Sequence, residues 1–207
     1  MTGATGVRPG SVVGGSVPGG TLVCVGGAPG AGKTTVGAFV AAGGGLSLVD
    51  LDSVTTALVE AFAASLGTVA DLDAPQFATL RDARYACLAE VASDNLRAGG
   101  SVVAVAPFTT EAADAVAWRE RARTWGATRV VLCWLDVDPE EAAARAAARG
   151  LPRDLAKAGR TAGPGRAGGV GTASRVVDRG GIDVVSAAGG TSRETAERIL
   201  SVLAALT

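Results

Sequence analysis

The chain has 207 residues, of which 48% are apolar and only 4% aromatic, with 19 basic and 20 acidic side chains for a net charge of −1. That suits one compact domain with a core of Ala, Val and Leu, and it argues against a basic nucleic-acid footprint and against an acidic disordered chain. Histidine is absent, which removes His bases, His triads and His metal sites.

Residues 1–20 hold two glycine pairs, two prolines and scattered Ser and Thr, and read as a flexible glycine-rich tail. The domain proper spans 21–207. Thr21–Val25 is a short apolar run, followed by a glycine-rich turn and a helical pattern over Lys33–Ala42. Leu46–Val49 is a second strand, ending at Asp50. Helical patterns follow at Ser53–Leu66 and Pro75–Ala98, with Gly99-Gly100 as a stop. Ser101–Ala106 is a third strand, Glu111–Trp125 a helix and Arg129–Leu135 a fourth strand. Asp138-Pro139-Glu140-Glu141 starts a helix that runs to Arg149, with Asp138 as cap and Glu141 completing a capping box. A short basic helix, Arg153–Ala158, and a second glycine-rich stretch, Thr161–Gly171, come next. Ile182–Val185 is a fifth strand, and Ser192–Ala205 a closing helix.

Short apolar strands alternating with helices of ten or more residues predict an α/β fold with a parallel sheet buried on both faces. No run has the continuous apolar block of a membrane span or signal peptide, so a soluble, cytoplasmic protein is expected. Cys24, Cys87 and Cys133 show no CxxC spacing, which fits a reducing compartment rather than a zinc site or disulfide framework. Trp118, Trp125 and Trp134 read as core packing, and Cys24 and Cys133 as small strand hydrophobes.

Gly27-Ala28-Pro29-Gly30-Ala31-Gly32-Lys33-Thr34 fits GxxxxGK[ST]. A shuffled chain of this composition would contain the pattern only ~0.006 times, and here it follows a strand and opens a helix, as a phosphate loop requires. Glycines let backbone N–H groups converge on an anion at a helix N-terminus. Lys33 adds a mobile charge for the β- and γ-phosphates, Thr34 a hydroxyl for Mg²⁺, and Thr35 continues the cradle. The motif therefore predicts binding of a nucleoside triphosphate.

Asp50-Leu51-Asp52 stands where the second strand ends, the side on which open parallel sheets bind ligands. One carboxylate can hold hydrated metal while the other receives a substrate proton; a helix cap is the plainer role for Asp52. Arg145 and Arg149 share a helix face, as do Arg153 and Lys157 after the Gly150–Pro152 break. Such a hinged basic segment suits a lid, at about 150–172, that closes over the phosphates; a solvated basic face is the plainer reading.

In order, GAPGAGKTT, LVDLDSV, SVVAVAPFTTE and VVLCWLDVDPEEAAARAAARGLPRD with Lys157 resemble the small P-loop kinases of the zeta-toxin and chloramphenicol-phosphotransferase group, an AAA-type ATP-binding family, over about residues 21–158. Gluconate and shikimate kinases are similar in style. The resemblance implies a P-loop NTPase three-layer sandwich with a five-stranded, mostly parallel sheet, nucleoside-kinase-like, with a lid. It implies transfer of the γ-phosphate of ATP to a hydroxyl of a small metabolite or antibiotic, with Mg²⁺. Asp52 matches the family's base, Asp50 the acidic position before it, and Arg145, Arg149 and Arg153 its lid arginines. The acceptor in that group binds beside the end of the third strand, which points to Pro107, Phe108 and Thr109 with Arg81 and Arg84 from the preceding helix.

Two departures stand out. Many relatives end the third strand on an acid, where this chain has Ala106, and the lid continues into glycines rather than bulky residues. The missing acid motivates another class, a nucleotide-binding regulatory protein with decayed catalysis. A zeta-like toxin kinase acting on nucleotide sugars is a third reading. A small-molecule acceptor is the expected partner, nucleic acid and membrane are not, and an alanine-rich surface favours a homodimer.

Overall fold

The computed structural model describes residues 20–72, 77–149, 175–178, 183–188 and 190–205. The strands are β1 (Thr21–Gly27), β2 (Ser47–Asp50), β3 (Val102–Val105), β4 (Arg129–Asp136), β5 (Arg175–Asp178) and β6 (Asp183–Ala188). The helices are α1 (Lys33–Gly44), α2 (Leu51–Ser65), α3 (Ala78–Arg97), α4 (Thr109–Ala113), α5 (Ala115–Thr124), α6 (Pro139–Arg149) and α7 (Ser192–Ala205). The sheet order is β2-β3-β1-β4-β6-β5. Every pairing is parallel except β5 with β6.

The five expected strands are β1, β2, β3, β4 and β6. The sheet has a sixth, β5, which the glycine-rich neighbourhood of Arg175–Asp178 concealed. It is an antiparallel edge strand, a common addition to an otherwise parallel sheet.

Layering follows from strand alternation. Leu22 and Cys24 of β1 face one core, with Leu88, Ala92 and Leu96 of α3 and with Trp118 and Trp125. Val23 and Val25 face the other, with Val36 and Val40 of α1 and Ile199 and Leu203 of α7. All seven β1 residues are buried, because neighbouring strands flank β1 on both sides and helices cover both faces. The α/β P-loop sandwich is the observed fold. Trp118 and Trp125 pack edge to face at 4.9 Å in the first core, so they are core residues as read; Trp134 is half-buried.

Local details differ from expectation, and the capping geometry gives the physical reason for several of them. The expected helix over Glu111–Trp125 divides into α4 and α5, because the Asp114 carboxylate accepts from Ala117 N at 3.0 Å and caps a new helix. Asp138 does cap α6, accepting from the N–H groups of Glu140 and Glu141. Glu141, however, pairs with Arg145. The capping box lies instead at α7, where Thr191 N donates to Glu194 Oε2 and Glu194 N to Thr191 Oγ1. Gly20 belongs to the domain rather than the tail: its N–H donates to Gly100 O and its carbonyl accepts from Thr128 N, both at 2.9 Å. The remaining tail residues, and the lid segment 150–172, lie outside the described residues. Among the described residues no helix is long and apolar enough to cross a membrane.

Candidate functional site

The chain leaves β1 at the point where strand order reverses, β3 on one side and β4 on the other; open α/β sheets bind ligands at such a crevice. Gly27 N donates to Pro107 O at 3.2 Å, and a Cβ on Gly27 (φ 145°) would lie 2.8 Å from Leu135 O. The loop is thus threaded between the ends of β3 and β4. At Gly30 (φ 84°) a Cβ would fall 2.0 Å from Ala142 O, so the loop also rests on the first turn of α6. Gly30 sits at an unspecified position of the motif; packing, not phosphate chemistry, demands it.

Gly32 is the N-cap of α1, whose first turn holds no acid to offset the positive end of the helix dipole. Ala28 and Pro29 are exposed while Ala31 is buried. Lys33 Nζ donates to Gly27 O at 3.0 Å and to Ala28 O at 2.8 Å, folding the ammonium back over the loop. Thr34 and Thr35 are both exposed at the start of α1.

Across the crevice, Thr34 Oγ1 donates to Asp50 Oδ2 at 2.8 Å. The other Asp50 oxygen accepts from Asp52 N at 2.9 Å and Ser53 N at 3.3 Å. Asp50, 5% exposed, is therefore the residue that caps α2, in place of Asp52. Capping leaves one carboxylate oxygen aimed at the phosphate-loop threonine. A hydroxyl and a carboxylate oxygen form a hard donor pair that suits Mg²⁺, which takes few protein ligands and completes its shell with water and phosphate.

Asp52 lies one residue into α2, with its side chain 48% exposed. Its Oδ1 accepts from Arg84 Nη2 at 2.6 Å. Arg84, on α3, is buried, and its Nε donates to Thr55 Oγ1 at 2.7 Å. Arg84 is thereby brought beside Asp52, with its Nε and Nη2 engaged on α2. Arg81 is exposed and donates to Leu72 O at 3.4 Å.

Pro107 and Thr109 are exposed at the end of β3, next to the loop. Phe108 is not. Its ring is fully buried, 5.5 Å from Trp118 and 6.3 Å from Tyr85, with its backbone held at φ 49°. A bulky residue at positive φ is strained, and aromatic packing holds it there. The expected contact of Phe108 with an acceptor is corrected: the ring belongs to the core, and only the flanking Pro107 and Thr109 face solvent.

Arg145, exposed on α6, pairs with Glu141 one turn back. Arg149 ends α6, and its side chain, with Arg153 and Lys157, lies outside the described residues. Ala106 is buried, with no acid at that position. The next carboxylate, Glu111 on α4, is buried too and turned toward Arg121 at 3.7 Å, so it does not replace the missing acid. Burial pushes the Cys24 thiol well above its usual range and the Cys133 thiol up to about 12; neither is a nucleophile at neutral pH.

A family model described as "AAA domain" matches residues 22–162. The chain belongs to that AAA domain family. None of the curated protein sequences matches it. Among solved structures, this AAA domain is similar to a sugar kinase from Janibacter sp. (TM-score 0.56, 19% identity, covering 90% of this chain and 95% of that one). It is also similar to a gluconokinase from Sinorhizobium meliloti (0.54, 19%, 92% and 94%) and to the Mycobacterium tuberculosis APS kinase in complex with AMPPNP and APS (0.53, 19%, 90% and 99%). At these identities the likeness establishes the shared fold.

Sequence reasoning missed several parts of this AAA domain's site. Thr55 carries no motif and emerges only because α3 lays Arg84 across it. Ser192, at the start of α7, lies beside the loop, its Oγ 3.5 Å from where a Gly32 Cβ would be. The dependence of Gly30 on Ala142 has no local signal at all.

Proposed function

We propose that the protein is an ATP- and Mg²⁺-dependent kinase that moves the γ-phosphoryl group to a hydroxyl of a small metabolite or antibiotic. The observation that carries this reading is the division of labour at the end of β2: Asp50 is bound to the phosphate-loop threonine while Asp52, two residues on, is held by Arg84 and half exposed. One carboxylate is committed to the nucleotide side and the other faces solvent.

The loop residues Gly27–Thr35 would cradle the phosphates, with Lys33 exchanging its two carbonyl partners for phosphate oxygens. Thr34 and Asp50 would hold Mg²⁺, which when bound neutralises charge on the β- and γ-phosphates. Asp52 takes the acceptor's proton as the acceptor oxygen bonds to the γ-phosphorus; the bond from that phosphorus to the bridging oxygen breaks, and ADP leaves with the electron pair. Arg145, together with Arg149 and Arg153, would stabilise charge on the transferred group, which for Arg145 requires release from Glu141. Most of the rate comes from positioning and electrostatics.

The test is phosphoryl transfer from ATP across a panel of polyols, sugars and aminoglycoside-type antibiotics, with Lys33→Ala and Asp52→Asn alongside. Turnover on one acceptor, lost in both variants, supports the reading; normal turnover in Asp52→Asn removes Asp52 as base. Buried Ala106 in place of an acid favours a second reading, a nucleotide-binding regulator. Tight Mg²⁺-ATP binding with no transfer to any acceptor or to water would select it. Growth arrest on expression, abolished by Lys33→Ala, would instead select a toxin acting on nucleotide sugars.

A further inference from the structure

The hydroxyl of Thr55 does two things at once. It donates to Leu51 O at 2.5 Å and accepts from Arg84 Nε at 2.7 Å. Bonding back to the carbonyl four residues earlier is ordinary for a threonine within a helix. Serving as the acceptor for an arginine that is 8% exposed is not ordinary, and it gives the residue its significance.

Guanidinium is planar and always charged, so fixing two adjacent N–H groups fixes the whole plane. Arg84 presents one edge to α2, Nε to Thr55 and Nη2 to Asp52. Asp52 and Thr55 are three apart on α2, hence neighbours on one helix face, and their spacing matches that edge. Without the Thr55 oxygen, a buried Nε–H loses its acceptor, which is costly enough to make the guanidinium turn. The Asp52 carboxylate, half exposed and held through Nη2, would then turn with it.

We propose that Thr55 is a positioning residue for phosphoryl transfer: through Arg84 it fixes the rotamer in which Asp52 meets the acceptor hydroxyl. The inference rests on Asp52 being the group that receives the acceptor's proton. Thr55 touches no reacting atom. It acts at one remove, and its removal should alter turnover without altering nucleotide binding.

The experiment measures ADP release from Mg²⁺-ATP, with water as the acceptor and with any hydroxyl acceptor the panel yields. The variants are Thr55→Val, Thr55→Ser, Asp52→Asn and Thr55→Val combined with Asp52→Asn. Thr55→Val should lower kcat about 10- to 100-fold, the scale of a misplaced reacting group, with KM for ATP within about twofold. Thr55→Ser, which keeps the hydroxyl, should stay within about threefold. In the Asp52→Asn background Thr55→Val should have no further effect, since two residues acting as one unit are non-additive. Should Thr55→Val fail to fold, Arg84→Lys replaces it, because an ammonium cannot hold both partners in that plane, and the same pattern is expected. Wild-type turnover in Thr55→Val, or the same fold-loss with and without Asp52, overturns the proposal. An Asp52→Asn enzyme with full turnover sinks the kinase-base assignment instead, so the two failures are told apart.

Discussion

Thr34 and Asp50 come from different elements, yet the hydroxyl of one donates to the carboxylate of the other at 2.8 Å. The second Asp50 oxygen is anchored by two backbone N–H groups of α2, so the free direction of the carboxylate is set by a helix cap. Substituting Asp50→Ala should weaken Mg²⁺-ATP binding at least about tenfold while leaving metal-free ADP binding within about twofold. It should also cost about 1 kcal/mol of stability for the lost cap. Calorimetric titrations with Mg²⁺ and with EDTA, beside thermal unfolding, check both parts; equal loss in the two titrations would deny Asp50 a metal role.

Gly30→Ala places a methyl group on Ala142 O and forces a left-handed backbone on a residue that resists it. Expected are a loss of about 1–3 kcal/mol in stability and a fall in ATP affinity, because relief requires the loop to lift from α6. Chemical denaturation and nucleotide titration on one preparation measure this. Unchanged affinity would mean that the loop's seat on α6 does not matter to the phosphates.

Phe108→Ala tests the placement of that ring in the core. Emptying a fully buried aromatic site should cost about 3–5 kcal/mol. ATP affinity, measured well below the variant's Tm, should hardly change. Little loss of stability together with a large rise in acceptor KM would return Phe108 to the acceptor pocket.

The buried thiols predict an alkaline weakness. Cys24 and Cys133 have pKa values raised by burial, the latter to about 12, while in the unfolded chain a thiol ionises near ~8.5. Between these values the folded state keeps protons that the unfolded state gives up, so stability falls as pH rises. The contribution is fully present below about pH 8.5 and is lost progressively toward pH 12, at up to about 1.4 kcal/mol per pH unit for each thiol. Unfolding curves from pH 8 to 11 should show this slope, flattened in the Cys24→Ala/Cys133→Ala variant. At neutral pH a thiol reagent should label Cys87, the exposed cysteine, and spare the other two.

Strands β1 to β4 and β6, the phosphate loop and the Asp50–Asp52 pair were legible in the chain because each is written locally. An apolar run of four to seven residues, a GxxxxGK[ST] string or a strand-end carboxylate needs no distant partner to be recognised. The placement of a helix boundary at Asp114 and of the capping box at Thr191 was less so, since several polar residues nearby could have capped and only the backbone geometry chose among them.

By itself, then, the sequence determined the α/β class, the order of most elements and the loop chemistry, because periodicity and short motifs encode burial and backbone conformation residue by residue. Only the tertiary structure decided that Arg84 reaches back 32 residues to Asp52, that Phe108 turns inward and that Gly30 supports α6. Those contacts depend on which strands become neighbours and on how α3 and α6 settle against the sheet. That register is fixed by the packing of two cores at once, and no local run of residues specifies it.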